Sequence, residues 1–98
     1  MKSIKQWQKE IHDNAMAHGW WTPPRSIPVT LCLIHSEISE ALEAYRNTDE
    51  DNFREEMADI AIRLFDACEA YDVDLEAEIE KKHAINIKRP YRHGGKTC

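Results

Sequence analysis

Three features of the sequence predict an all-helical fold. Apolar residues recur at helical spacing through most of the chain, the 3 glycines lie at position 19 and in the C-terminal tail, and no segment alternates as a strand does. At 98 residues the chain is a single domain, residues 1–98, whose last stretch, 91–98, reads as a flexible basic tail. A chain this short often completes its core against copies of itself. Its 42% hydrophobic and 32% charged residues suit a soluble globular protein and argue against disorder.

The first helix is predicted from Ser3 to His18, on Ile4, Trp7, Ile11 and Ala15, with Gly19 ending it. Trp20-Trp21-Thr22-Pro23-Pro24 is a loop, because its prolines cannot sit inside a helix. The second helix runs from Ser26, an N-cap, to Arg46, and tolerates Pro28 in its first turn. Asn47-Thr48 breaks the pattern. Thr48 is the expected cap of a third helix reaching Tyr71, with Asp49, Glu50 and Asp51 favourable at its positive end. Asp74 caps a fourth, from Leu75 to about Lys88, stopped before Pro90.

A net charge of −5 disfavours free nucleic acid or an anionic membrane as the main partner. Cys32, Cys68 and Cys98 are an odd set without CxxC spacing; the two internal ones fit small buried thiols in a reducing compartment. The N-terminal run has no apolar signal region and no stretch approaches membrane-spanning length, so a cytoplasmic location is expected.

The chemistry is carried by four carboxylates. At about 100° per residue, Leu31, Ile34, Ile38, Ala41, Leu42 and Tyr45 form an apolar stripe on the second helix, the expected core face. Glu37 and Glu40 lie beside one edge of it. On the third helix Phe53, Met57, Ile60, Ala61, Leu64, Cys68 and Tyr71 form the matching stripe, with Glu56 and Asp59 beside its edge. The short break makes the two helices an antiparallel hairpin. Glu40 and Glu56 are both 8 residues from Thr48, and Glu37 and Asp59 are both 11 away. Each pair therefore stands at one height, roughly 12 Å and 16 Å from the turn at 1.5 Å per residue. Carboxylates this close repel one another unless a hard cation lies between them. Oxygen-only ligands favour Mg²⁺, with Mn²⁺ as a substitute, over zinc.

Lys82, Asn86 and Arg89 recur along one face of the fourth helix, an arrangement that holds phosphates. Arg63 falls between Glu56 and Asp59 on the wheel, to touch phosphate or to neutralise the acids. Trp20 and Trp21 are candidates to stack on a nucleobase or to lid the core. Ile62 and Phe65, opposite the third helix's stripe, suggest an oligomer contact. The five histidines show no HxxxH or HxH spacing, Glu80-Lys81-Lys82-His83 is a lone ExxH, and no phosphate loop, GxGxxG or GxSxG occurs.

The run Glu37-Ile38-Ser39-Glu40, then 15 residues, then Glu56-Met57-Ala58-Asp59, resembles the ExxE…ExxD signature of the MazG-like all-α nucleoside triphosphate pyrophosphohydrolases. Val73-Asp74-Leu75 before a helix, followed by Lys82, Asn86 and Arg89, is similar to that family's phosphate-binding end; the likeness spans Ser26 to Tyr91. The resemblance implies a four-helix protomer assembling as a homodimer or homotetramer, with sites completed across the interface. It implies hydrolysis of a nucleoside triphosphate, a dNTP in particular, to the monophosphate and pyrophosphate, as nucleotide-pool house-cleaning. Glu37, Glu40, Glu56 and Asp59 would hold Mg²⁺ at the catalytic centre, and Lys82, Asn86 and Arg89 would face the phosphates. Some relatives have a further acidic residue directly after the ExxE, where this chain has Ala41, so no base is assigned there. The competing expectation from another class is a non-catalytic helical module whose acidic face binds a basic partner.

Overall fold

The computed structural model describes every residue except Lys96 and Cys98, so these members of the tail and of the cysteine set lie outside the described residues, as does the side chain of His93. Regular structure among the described residues is entirely helical: α1 Ile4–Ala17, α2 Ile27–Arg46, α3 Glu50–Ala70, α4 Leu75–Ile87, and a single turn, α5 Arg92–Gly95. None of these helices is long and apolar enough to cross a membrane.

Local chemistry sets the helix ends. Ser3 Oγ accepts from the Gln6 N–H while Gln6 Oε1 accepts from the Ser3 N–H, a reciprocal capping box that starts α1. Ser26 Oγ accepts from the Val29 N–H at the start of α2. The cap of α3 is Asp49, which accepts from the Asn52 N–H, and not Thr48 as the sequence suggested. Thr48 instead ends α2. It sits at φ 53°, and its hydroxyl donates to the Asn47 carbonyl. The left-handed residue brings the Asp49 N–H to the Ala44 carbonyl and the Thr48 N–H to that of Tyr45. Gly19 and Asp72 end α1 and α3 with the same bond pattern. A β-branched residue is strained there, whereas glycine is not. Thr48→Gly is therefore expected to add about 1 kcal/mol of stability, read as a higher urea midpoint at unchanged m. A lower midpoint would mean that the hydroxyl–carbonyl bond outweighs the strain.

From this tight turn α2 and α3 run back along each other and make the most extensive contact of the chain. The buried residues of α2 are Thr30, Glu37, Ala41 and Ala44, all within about 40° of Glu37 on the wheel. On α3 the small Ala67 is buried along the corresponding line. Small side chains let the two backbones approach, so the contact is centred on the carboxylate line rather than on the apolar stripes. This corrects the expected core face. Leu31, Ile38, Leu42 and Tyr45 of α2 and Phe53, Met57 and Leu64 of α3 are exposed, with Leu42 at 57%.

Helix α1 packs against the other side of α3. Gln8 donates to Glu69 and to the Val73 carbonyl, and His12 pairs with Asp66. The face carrying Ile62 and Phe65 is thus turned toward α1: Ile62 lines a cleft with Trp7 and Ile11, and Phe65 is half-buried. Helix α4 rests lightly on α1 through Lys5, whose N–H reaches Glu76 and whose ammonium lies 3.7 Å from Asp74. No residue of α4 is buried.

Candidate metal centre and adjoining cleft

The α2–α3 hairpin brings three carboxylates together. Glu37, Glu56 and Asp59 each present an oxygen within 4.8 Å of the others. One turn separates Glu56 from Asp59 on α3, and Glu37 faces them from α2, as counting outward from the turn requires. Glu40, one turn on from Glu37, is more exposed but acts on both Glu37 and Glu56.

The two central carboxyls are held in opposite directions. Arg63 Nε donates to Glu37 Oε1 at 2.6 Å, and this charge-assisted bond holds Glu37, 8% exposed, below the ordinary carboxylate range. Glu56 is pushed up to about 7, first by desolvation and then by the carboxylates of Glu37 and Glu40. Its Oε2 is buried and without a hydrogen-bond partner among the described residues. A carboxylate oxygen only accepts, and what faces it here are other acceptors. Either a proton or a cation between Glu56 and Glu37 relieves the contact. The donor set, all oxygen and mixed in exposure, suits a hard divalent ion such as Mg²⁺.

A stability consequence follows with a definite sign. A carboxyl whose folded value is raised to about 7 contributes stability that is fully present below the ordinary value of 4.5 and is lost as pH rises through about 7. The metal-free protein should therefore melt lower at pH 8 than at pH 6. Glu56→Gln should shrink that difference, as should added Mg²⁺. Equal pH dependence in wild type and variant would remove Glu56 as its source.

Beside the carboxylates a cleft of about 820 Å³ opens between α1 and the hairpin. Trp7, Ile11, Asn14 and Ala15 of α1 form one wall; Leu33, Glu37, Asp59, Ile62 and Arg63 form the other. Trp20 stands at its edge, 58% exposed and stacked at 5.0 Å on His18. Trp21 is different. It is buried, its Nε1–H donates to both oxygens of Asp66 at 3.0 Å, and the Arg25 guanidinium lies 4.1 Å from its ring centre. His12 and Tyr71 meet it edge-on. Its ring is enclosed, while that of Trp20, beside His18, stays largely exposed.

Asp66 is the hub of this cluster. His12 Nδ1 lies 2.7 Å from its Oδ1 and must be the donor, because an ionised carboxylate only accepts. Arg25 Nη2 is 3.7 Å from its Oδ2. Neither Asp66, Arg25 nor His12 stood out in the sequence as a site residue. A partial signal existed: Asp66 lies seven residues after Asp59 and three after Arg63, on one face of α3. Lys82 and Asn86 are exposed on α4, and neither they nor Arg89 line the cleft. Of the residues singled out in the sequence, Glu37, Asp59, Arg63 and Trp20 line the cleft, Glu56 joins Glu37 and Asp59 in the carboxylate cluster, Glu40 lies one turn beyond, and the α4 residues stand apart.

Comparison with family models, with curated proteins and with solved structures gave no match to this chain.

Proposed function

We propose that this protein is a Mg²⁺-dependent hydrolase that cleaves nucleoside triphosphates, dNTPs in particular, to the monophosphate and pyrophosphate. The observation that carries the reading is the Glu37–Glu56–Asp59 cluster, with the unpartnered buried oxygen of Glu56, two of whose members, Glu37 and Asp59, line a cleft large enough for a nucleotide. These three residues, with Glu40 beside them, would hold the ion. When bound, it neutralises phosphate oxygens and acidifies a water. Arg63 is placed to turn from Glu37 toward a phosphate. Glu40, exposed and outside the three-carboxylate cluster, is the group to take a proton. Ile11, Leu33 and Ile62 line the cleft with apolar surface, and a bound nucleotide covering it would strengthen the charge interactions inside. Trp20 offers its open face to the base. In this reading Lys82, Asn86 and Arg89 serve the phosphates of a site in a second copy.

The test is pyrophosphate release from a panel of NTPs and dNTPs, with Mg²⁺ and with chelator. Metal-dependent release is expected, and the preferred nucleotide names the substrate. A folded protein that releases pyrophosphate from none of them would overturn the reading in favour of a non-catalytic module.

A further inference from the structure

We infer that Arg25 is a specificity-determining residue, which donates to two adjacent acceptors on the base of a bound nucleotide, so that the cleft takes cytosine or guanine nucleotides in preference to those of uracil, thymine or adenine. This rests on the reading of the cleft as a nucleotide site, and it names the bases that the site selects.

Arg25 is held in place but not satisfied. Tyr71 Oη donates to its carbonyl at 3.1 Å, the next residue caps α2, and its guanidinium lies over the Trp21 ring. The side chain is only 19% exposed. Even so, the guanidinium makes no hydrogen bond among the described residues, and its Nε is buried without a partner. Asp66 Oδ2, 3.7 Å away, is within ion-pair reach and beyond hydrogen-bond distance. Both oxygens of Asp66 already accept from Trp21, and Oδ1 from His12 as well. A buried donor without an acceptor costs folding free energy. Stacking on Trp21 accounts for a flat cation at this position but not for its idle donors.

What the guanidinium lacks is an acceptor, not a negative charge. Asp66 balances Arg25, and Glu37 balances Arg63. A phosphate brought to Arg25 would meet the Asp66 carboxylate at close range, whereas a neutral acceptor would not. Space agrees. With Arg63, Thr30 and Asp66, Arg25 borders a cavity of about 10 Å³, room for about one water and too small for a phosphate between the two arginines. The other space it borders is the 820 Å³ cleft. Asp66 is seven residues beyond Asp59 on α3, about 10 Å further along at 1.5 Å per residue, and Arg25 stands beside it. Ile62 on α3 and Leu33 on α2 fall between in sequence and give the cleft an apolar lining. With the phosphates at the carboxylates, a sugar and a base reach this end.

A guanidinium is a flat fork of N–H donors. It matches two acceptors side by side, as in O6 and N7 of guanine or O2 and N3 of cytosine. Uracil and thymine set an N–H between their carbonyls, and adenine sets an amino group beside N1 and N7. These bases offer the fork a single acceptor and turn a donor toward it. Trp20, on the same loop and at the edge of the cleft, would meet the face of the base while Arg25 meets its edge.

The test is kcat/KM of the full chain for pyrophosphate release from dCTP, dGTP, dTTP, dUTP and dATP. The better of dCTP and dGTP should exceed each of the other three by roughly tenfold or more. Arg25→Lys keeps the charge beside Asp66 and loses the fork, and should shrink that ratio at least about fivefold. A wild type that cleaves dTTP, dUTP or dATP as well as dCTP and dGTP overturns the inference, whether or not the variant folds. So does an Arg25→Lys protein that keeps the wild-type ratio, because a merely structural arginine affects every substrate alike. If none of the five is cleaved, the catalytic reading fails, and titration of the full chain in chelator with uncharged deoxynucleosides decides this one. Shifts of the tryptophan indole N–H signals with deoxycytidine or deoxyguanosine, and not with thymidine or deoxyadenosine, then keep Arg25 as the reader of the base. Shifts with all four, or with none, overturn it.

Discussion

Glu56→Gln is expected to reduce metal-dependent pyrophosphate release at least about a hundredfold, the scale of losing one group that stabilises transition-state charge, while leaving the metal-free protein as stable as wild type or more so. The opposite signs have one cause. Glu56 is desolvated and faces Glu37 and Glu40, with an oxygen that nothing satisfies. In the absence of a cation its charge opposes folding, and with one it is a ligand. Glutamine keeps the shape, removes the charge and supplies a donor toward Glu37, so the fold gains while the site loses. Asp59→Asn should show the same loss of activity. Activity and a melting curve with chelator, on the same preparations, decide the matter. Near-full turnover in Glu56→Gln would remove the carboxylate cluster from the mechanism.

The second large effect concerns stability. Asp66 is buried and is the common acceptor for Trp21 Nε1–H and His12 Nδ1–H, with Arg25 close by. Asp66→Ala leaves a buried indole N–H and a guanidinium without their acceptor, and should cost about 3 kcal/mol. That is a large part of the roughly 5–15 kcal/mol that holds a domain together. Asp66→Asn keeps one acceptor oxygen and should fall between the two. Urea unfolding measures the cost, and near-ultraviolet circular dichroism follows the environment of Trp21. A cost below about 1 kcal/mol would show that the cluster does not tie the Trp20–Pro24 loop to α3. The same substitution should raise KM if Trp20 contacts the substrate, because Trp20 rides on that loop.

The carboxylate convergence was legible without coordinates because it depends on local quantities alone. A helix advances 1.5 Å and about 100° per residue, and a three-residue turn forces the partner helix back along the first. Those rules place Glu37 opposite Glu56 and Asp59 whatever the rest of the chain does. The Asp66 cluster was not legible. His12, Trp21, Arg25 and Asp66 come from three separate parts of the chain, and no periodicity specifies how α1 crosses α3.

The sequence by itself determined the all-helical class, the four main helices with near-correct ends, and the gathering of acids at the hairpin, since each rests on residue spacing and capping chemistry. Thr48 escaped it, because only the direction in which the chain leaves α2 shows that this residue takes the left-handed conformation. Which apolar face is inside was likewise decided only by the tertiary structure. Periodicity marks a stripe as apolar without saying what covers it. Here Ala41, Ala44 and Ala67 let the helices meet along the carboxylate line, and α1 then covers one flank of the hairpin and leaves Leu42 and Met57 on the other facing outward.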